Sequence, residues 1–235
     1  MNAVPLCPGV WQIEESYRVY CVLLAGRSRC ILLDTGLGKQ DLRQQVEALA
    51  GGLPCTVLCS HGHADHVGGT GAFGAFFLHP ADRALLTEGQ AAQMQPVLPG
   101  AMLDPGGLPA VVVGLPGHTA GSIGLLLPEQ RLLLAGDALC PRLLLPEPET
   151  GLEALRQTLP AALDLPFDTY VSGHTPGLLP KAQIAAHLAH LQAYRPEETR
   201  PARFGTLRCR RSMYKGPEGR SVFLLAEDTV SALQS

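Results

Sequence analysis

Ten consecutive residues, Ser60-His-Gly-His-Ala-Asp-His-Val-Gly-Gly69, constrain this chain more than any other feature. His61, His63, Asp65 and His66 fall within six positions, directly after Thr56-Val-Leu-Cys-Ser60, an apolar run that reads as a buried strand. In an extended segment alternate side chains point the same way, so His61 and His63 face one point together. Where the chain then turns into a helix, Asp65 and His66 swing toward a second point nearby. Imidazole and carboxylate suit borderline divalent metals such as zinc, and two metals about 3.5–4 Å apart are a recurrent hydrolytic arrangement. The cluster therefore reads as a metal site at the end of a strand.

A chain of 235 residues is long enough to bury a sizeable core. The expected organisation is one domain over 1–235, with its core at about 10–195 and a basic segment and closing strand over 196–235. Hydrophobic residues make up 46% and charged ones 17%, and the formal net charge is −3, which excludes a general attraction to nucleic acid or membrane. No apolar run approaches the ~20 residues that span a bilayer. The first ten residues have neither a basic start nor an apolar core, so no export signal is read. Seven cysteines without a Cys-x-x-Cys motif, most in apolar runs, fit a reducing, cytoplasmic setting. Cys140 stands apart because it follows a candidate ligand by three residues.

Val10 to Ile13, Tyr17 to Leu24 and Cys30 to Leu33 read as an antiparallel opening, followed by a helix carrying Leu42, Val46 and Leu49 that Gly51-Gly52 stops. Ala75 to Leu78 is a short strand, and Pro80 opens a helix. Residues 89–109, rich in Pro, Gly and Gln, read as a loop over the site. Val111 to Leu115, Ile123 to Leu127, Arg131 to Ala135, Asp168 to Ser172 and Ser221 to Ala226 read as strands. Helices carry Leu152, Leu155 and Leu159, then Ile184, Leu188 and Leu191. Strands in blocks with amphipathic helices between them imply sheets packed face to face with helices outside.

Three more strand ends carry chemistry. Pro116-Gly-His-Thr-Ala-Gly-Ser122 sets His118 in a glycine turn, Leu132-Leu-Leu-Ala-Gly-Asp137 ends in a carboxylate, and Val171-Ser-Gly-His-Thr175 ends in His174. Each alone is ordinary turn chemistry. In this order after the cluster they resemble the metallo-β-lactamase superfamily, whose members carry His-x-His-x-Asp-His, then a histidine, a bridging aspartate and a last histidine. The resemblance spans roughly residues 10–195. It implies an α+β fold, an αββα sandwich of two mixed β-sheets flanked by helices, with a dinuclear site along one edge. By position, His61, His63 and His118 would hold one Zn2+ and Asp65, His66 and His174 the other, with Asp137 bridging. Fe or Mn, alone or mixed, are the alternative metals. Asp34 of Asp34-Thr-Gly36 matches the family's early motif and is expected to orient a ligand histidine from behind.

The implied chemistry is hydrolysis by a metal-bridging hydroxide, with Asp65 orienting it and Asp137 fixing the metal separation. A thioester, ester or lactone is the expected small-molecule acyl substrate, in the manner of the glyoxalase II-like or lactonase-like branch. β-Lactam hydrolysis and a mononuclear iron persulfide dioxygenase are the alternatives. His79, His187 and His190 read as structural. Leu143, Leu144 and Leu145 read either as the lining of an apolar acyl cleft or as core. Residues 195–220 hold eight Arg/Lys against three Glu; they read as a solvated face or a subunit contact, compatible with a homodimer, or else as a clamp for a carboxylate or phosphate.

Overall fold

Val19–Ala25 and Cys30–Leu33 are apolar on both faces, so strands made from them need cover on two sides. The computed structural model describes residues 2–228 and supplies that cover in layers. Seven strands form the first sheet in sequence order: β1 (Asn2–Cys7), β2 (Val10–Ser16), β3 (Val19–Ala25), β4 (Cys30–Leu33), β5 (Cys55–Leu58), β6 (Phe76–Leu78) and β7 (Met94–Pro96). The first four are antiparallel and the last three add in parallel. A second sheet has the order β14-β13-β11-β10-β9-β8, from β8 (Met102–Leu103), β9 (Ala110–Gly114), β10 (Ile123–Leu127), β11 (Leu132–Leu134), β13 (Thr169–Ser172) and β14 (Thr175–Pro180).

Side-chain alternation sorts the core into layers. Val22, Leu24, Ile31, Leu33 and Leu58 of the first sheet meet Val112, Ile123, Leu125, Leu134 and Val171 of the second. On the outer side of the first sheet, Leu23, Leu32 and Val57 pack under α1 (Leu42–Ala50) through Leu42, Val46 and Ala50. Asp41 caps this helix by accepting from Gln44 N at 3.0 Å. Outside the second sheet, Leu126, Leu133 and Tyr170 meet Leu155 and Leu159 of α4 (Pro148–Asp164) and Ile184 and Leu191 of α5 (Ala182–Ala193). Each fully buried leucine contributes about 1.5–3 kcal/mol. The layers are those of an αββα sandwich.

Several expectations need correction. A third sheet, β12-β17-β16-β15, joins β12 (Arg142–Leu145) to β15 (Arg200–Phe204), β16 (Leu207–Gly216) and β17 (Gly219–Ala226). The basic segment is therefore paired strand, and its arginines on both faces blur the period-two signal that would have revealed it. Leu143, Leu144 and Leu145 are buried and line no cleft: Leu143 and Leu145 pack with α4 and Phe223, and Leu144 with Leu207, Cys209 and Leu224. Residues 89–109 do not form a loop over the site. Most of α3 (Glu88–Gln93), then β7 and β8, come from this stretch, and β7 and β8 edge the two sheets. Its 104–108 turn receives the backbone N–H groups of Arg27, Ser28 and Arg29 on the carbonyls of Gly106 and Pro105. That hairpin turn precedes β4, which runs away from it to Asp34, so the turn sits at the end of the sandwich opposite the histidines. The helix expected at Pro80 is a 3-10 turn over Pro80–Leu85, and β1 and β14 were not expected at all. Among the described residues no helix is long and apolar enough to cross a membrane, and all seven cysteines are free thiols.

Candidate metal centre

The parallel order of β4, β5, β11 and β13 points their C-terminal ends the same way, and the chemistry-bearing residues follow those ends. β5 delivers Ser60 and His61. His63 is the last extended residue before α2 (Ala64–Val67), whose first turn carries Asp65 and His66. The turn between β9 and β10 delivers His118, the end of β11 delivers Asp137, and the turn between β13 and β14 delivers His174. All seven residues converge into one cluster. Gly173 is needed for the last of them: a Cβ there would stand 2.3 Å from Asp137 Oδ1 and 2.7 Å from His66 Cε1.

His61, His63 and His118 form the first set, and all three are buried. Their inward nitrogens are 3.0 Å apart for His61 Nε2 and His63 Nδ1, 2.9 Å for His63 Nδ1 and His118 Nε2, and 3.2 Å for His61 Nε2 and His118 Nε2. The outer nitrogens fix the tautomers. His118 Nδ1 donates to the Leu144 carbonyl at 2.7 Å, so its Nε2 carries a lone pair. Ser60 Oγ donates to Asp34 Oδ2 at 2.8 Å and therefore accepts from His61 Nδ1 at 3.0 Å, leaving a lone pair on His61 Nε2 as well. Burial, reinforced by neighbouring imidazoles, pushes the basicity of His61 well down and that of His63 to about 3; burial likewise lowers His118. These rings do not take up protons to fill the space between them.

Asp65, His66 and His174 form the second set. His66 Nδ1 donates to Asp34 Oδ2 at 2.8 Å and His174 Nδ1 to the Arg18 carbonyl at 2.7 Å, so both turn Nε2 inward. His174 Nε2 lies 3.3 Å from Asp65 Oδ2 and 2.9 Å from Asp137 Oδ2. Asp137 touches both sets, with Oδ1 3.4 Å from His66 Nε2 and Oδ2 3.8 Å from His118 Nε2. Burial alone would lower these two histidines. Asp137 and its neighbouring carboxylates outweigh it, holding His66 well above its usual value and His174 at about 11. Burial would likewise raise Asp65, yet His66 and His174 hold it down at about 2. This corner draws positive charge.

Asp34 stands behind the centre, as its motif implied, accepting from Ser60 N at 2.6 Å as well as from Ser60 Oγ and His66 Nδ1. Its φ of 65° is a left-handed conformation uncommon outside glycine, as is the φ of 58° at Arg18. Cys140 Sγ approaches Asp137 Oδ1 at 3.7 Å and the Gly136 carbonyl at 3.9 Å, and burial pushes its thiol up. His187 and His190 lie outside the cluster, sharing Ser221 Oγ at 2.7 and 2.8 Å.

Two supporting carboxylates were missed. Asp82, 1% exposed, accepts from Gly62 N at 2.9 Å, Gly121 N at 2.7 Å and Thr119 Oγ1 at 2.7 Å, tying together the two loops that carry the first set. A Cβ on Gly121 would stand 2.5 Å from Asp82 Oδ1, so glycine is what lets the loops close on it. Glu15, fully buried, accepts from the backbone N–H groups of Leu37, Lys39 and Gln40 and so anchors the loop after Asp34 to the hairpin whose Arg18 carbonyl holds His174. The one available signal for Glu15 is a charge sharing a strand face with Ile13.

Residues 17–77 and 96–174 match the family model of the Metallo-beta-lactamase superfamily. Among curated proteins, the acyl-coenzyme A thioesterase MBLAC2 of Gallus gallus is 27% identical over 176 residues, 57% of this chain and 64% of that protein. The hydroxyacylglutathione hydrolase of Anaeromyxobacter dehalogenans (strain 2CP-C) is 36% identical over 123 residues, 51% of this chain and 46% of that protein. The chain thus spans between 46% and 64% of the lengths of these relatives. Among solved structures, a metallo-beta-lactamase family protein of Thermus thermophilus superposes with a TM-score of 0.64 at 24% identity, covering 80% of this chain and 81% of that one. A class B3 di-zinc metallo-beta-lactamase from an Alaskan soil metagenome superposes with a TM-score of 0.60 at 20% identity, covering 82% and 92%. At these identities the likeness is one of fold.

Proposed function

Because the chain belongs to the metallo-β-lactamase superfamily, we propose that it is a dinuclear zinc hydrolase that cleaves a small-molecule thioester, ester or lactone. One observation carries this reading: His61 Nε2, His63 Nδ1 and His118 Nε2 converge at 2.9–3.2 Å, and the outer nitrogens of His61 and His118 are spent elsewhere, so those two rings turn lone pairs inward. A cation between the rings would let all three nitrogens present lone pairs at once, and this donor set suits zinc. His61 Nε2, His63 Nδ1 and His118 Nε2 would hold the first ion, Asp65, His66 Nε2 and His174 Nε2 would hold the second, and Asp137 would serve both.

A bound pair of divalent cations supplies Lewis acidity and a hydroxide at neutral pH. The chain's own residues do the rest. Asp34 fixes the orientation of His66 and, through Ser60, of His61. Asp65 has the most solvent-open carboxylate of the three that surround His66, with its side chain 32% exposed. It stays ionised and orients the attacking water. Thioesters stand first among substrates because the curated relatives above are named an acyl-coenzyme A thioesterase and a hydroxyacylglutathione hydrolase. Seven free thiols accord with a cytoplasmic setting.

The test is proton release by zinc-loaded protein against acyl thioesters, lactones, a cephalosporin and a phosphodiester, with Asp137→Asn as control. Turnover of a thioester or lactone that the control lacks is expected. Turnover confined to the cephalosporin, or none with metal bound, overturns the reading.

A further inference from the structure

The four strands of the third sheet contain eight Arg and Lys and no Asp or Glu, in a chain whose net charge is −3. Register sorts these cations by face. On one face, Arg208 pairs with Asp228 at 2.6 Å and Arg210 lies 3.9 Å from Glu227. The same face is covered by α5, where His190 bridges Ser221 and Ser212.

The opposite face is built differently. One row across it reads Leu144, Leu224, Arg211, Arg200, with its two leucines buried beside Leu207 and Cys209 and its two arginines open; the next reads Arg142, Val222, Met213; beyond that Lys215 stands opposite Arg220. All five cations are exposed, and none makes an ion pair among the described residues. Arg200 and Arg211 face each other directly, a like-charge pairing that costs stability unless an anion neutralises it. In their midst Met213 is 60% exposed, beside half-buried Val222. An apolar spot ringed by unpaired cations fits a ligand with a flat apolar part and several phosphates.

The sheet is also continuous with the metal centre. The Leu144 carbonyl that starts the first row receives His118 Nδ1. At about 4.8 Å per strand, Arg211 lies about 10 Å and Arg200 about 14 Å along the row from that residue.

We infer that this face binds the phosphates of a nucleotide-bearing thiol, the carrier half of an acyl thioester of the coenzyme A type, with its base against Met213 and Val222. The inference rests on the hydrolase reading and narrows its substrate. A peptide thiol such as glutathione offers carboxylates partly offset by its own ammonium group, a poorer match for five uncompensated cations.

Calorimetry with free coenzyme A decides it, using zinc-loaded protein, the double variant Arg200→Ala/Arg211→Ala, and a second double variant, Lys215→Ala/Arg220→Ala, on the other side of Met213. Coenzyme A should bind the unaltered protein and bind each double variant at least tenfold more weakly. The thermal midpoint of the first variant should not fall, because a like-charge pair has been removed. No binding by the unaltered protein, or binding by either double variant as tight as that of the unaltered protein, overturns the inference. Tighter binding of a random-sequence RNA than of coenzyme A through the same arginines also overturns it, in favour of a nucleic-acid surface. The ligand carries no acyl group, so failure here is separable from failure of hydrolysis. A protein that cleaves an N-acetylcysteamine thioester without binding coenzyme A keeps the hydrolase reading and loses this one.

Discussion

His61, His63 and His118 form a buried set of three imidazoles with no carboxylate among them, whereas Asp65, His66 and His174 form a set partly open to solvent and surrounded by carboxylates. The first set is held from outside by Ser60, a backbone carbonyl and the Asp82 clamp on two loops. The second is held by Asp34 and by the Arg18 carbonyl at a hairpin tip. The environments drive the two in opposite directions: burial leaves His63 at about 3, while the carboxylates lift His174 to about 11. One set offers a cation converging ring nitrogens, the other offers it charge, and Asp137 touches both.

The largest expected effect follows from that shared position. Asp137→Asn should lower turnover by at least about 100-fold and reduce bound zinc from two ions to one, read by metal analysis and steady-state kinetics on folded protein. Next, Asp34→Asn should weaken binding at the second set by about 10- to 100-fold. Asparagine tolerates the left-handed backbone at this position, so the change removes the charge that His66 Nδ1 meets directly, and His61 feels it only through Ser60. Asp82→Asn should act on the first set instead, weakening its zinc by about tenfold while the second set is disturbed less; a competition titration with a chromophoric chelator separates the two affinities. Equal losses at both sets in either variant would break the distinction between them.

The smallest effect lies outside both sets and separates fold from centre. Burial, for His187 together with His190 beside it, holds both histidines at about 4 in the folded chain, below the ordinary 6.5 of an exposed imidazole. The unfolded chain therefore binds more protons between those values, so stability should fall as pH drops from about 6.5 to about 4 and be unaffected by these groups above that window. In His190→Gln a denaturant midpoint series should show a shallower decline over the same range.

The seven candidate ligands were legible because each sits in a short cluster or directly after a glycine at a strand end, where a polar residue has no packing role to explain it. Asp82 was not: in Pro80-Ala-Asp-Arg it looks like any acid in a first helical turn, and only the fold brings Gly62 and Gly121 to it. The carbonyls of Arg18 and Leu144 leave no mark in a sequence, since every residue has one. The two main sheets and α1, α4 and α5 were readable from alternation and helical spacing, while β7 and β8 hid in a stretch rich in Pro, Gly and Gln. The third sheet hid for another reason. Its Arg211 and Met213 occupy the face that Leu207 and Cys209 bury, so no clean apolar period survives along β16.

Zinc titration into metal-free protein, following bound metal and thioester turnover in the same samples, tests the two-set centre most directly. Two ions per chain with unequal affinities are expected, with turnover rising mainly as the second binds. Full turnover at one ion per chain, or no retained zinc at all, would contradict it.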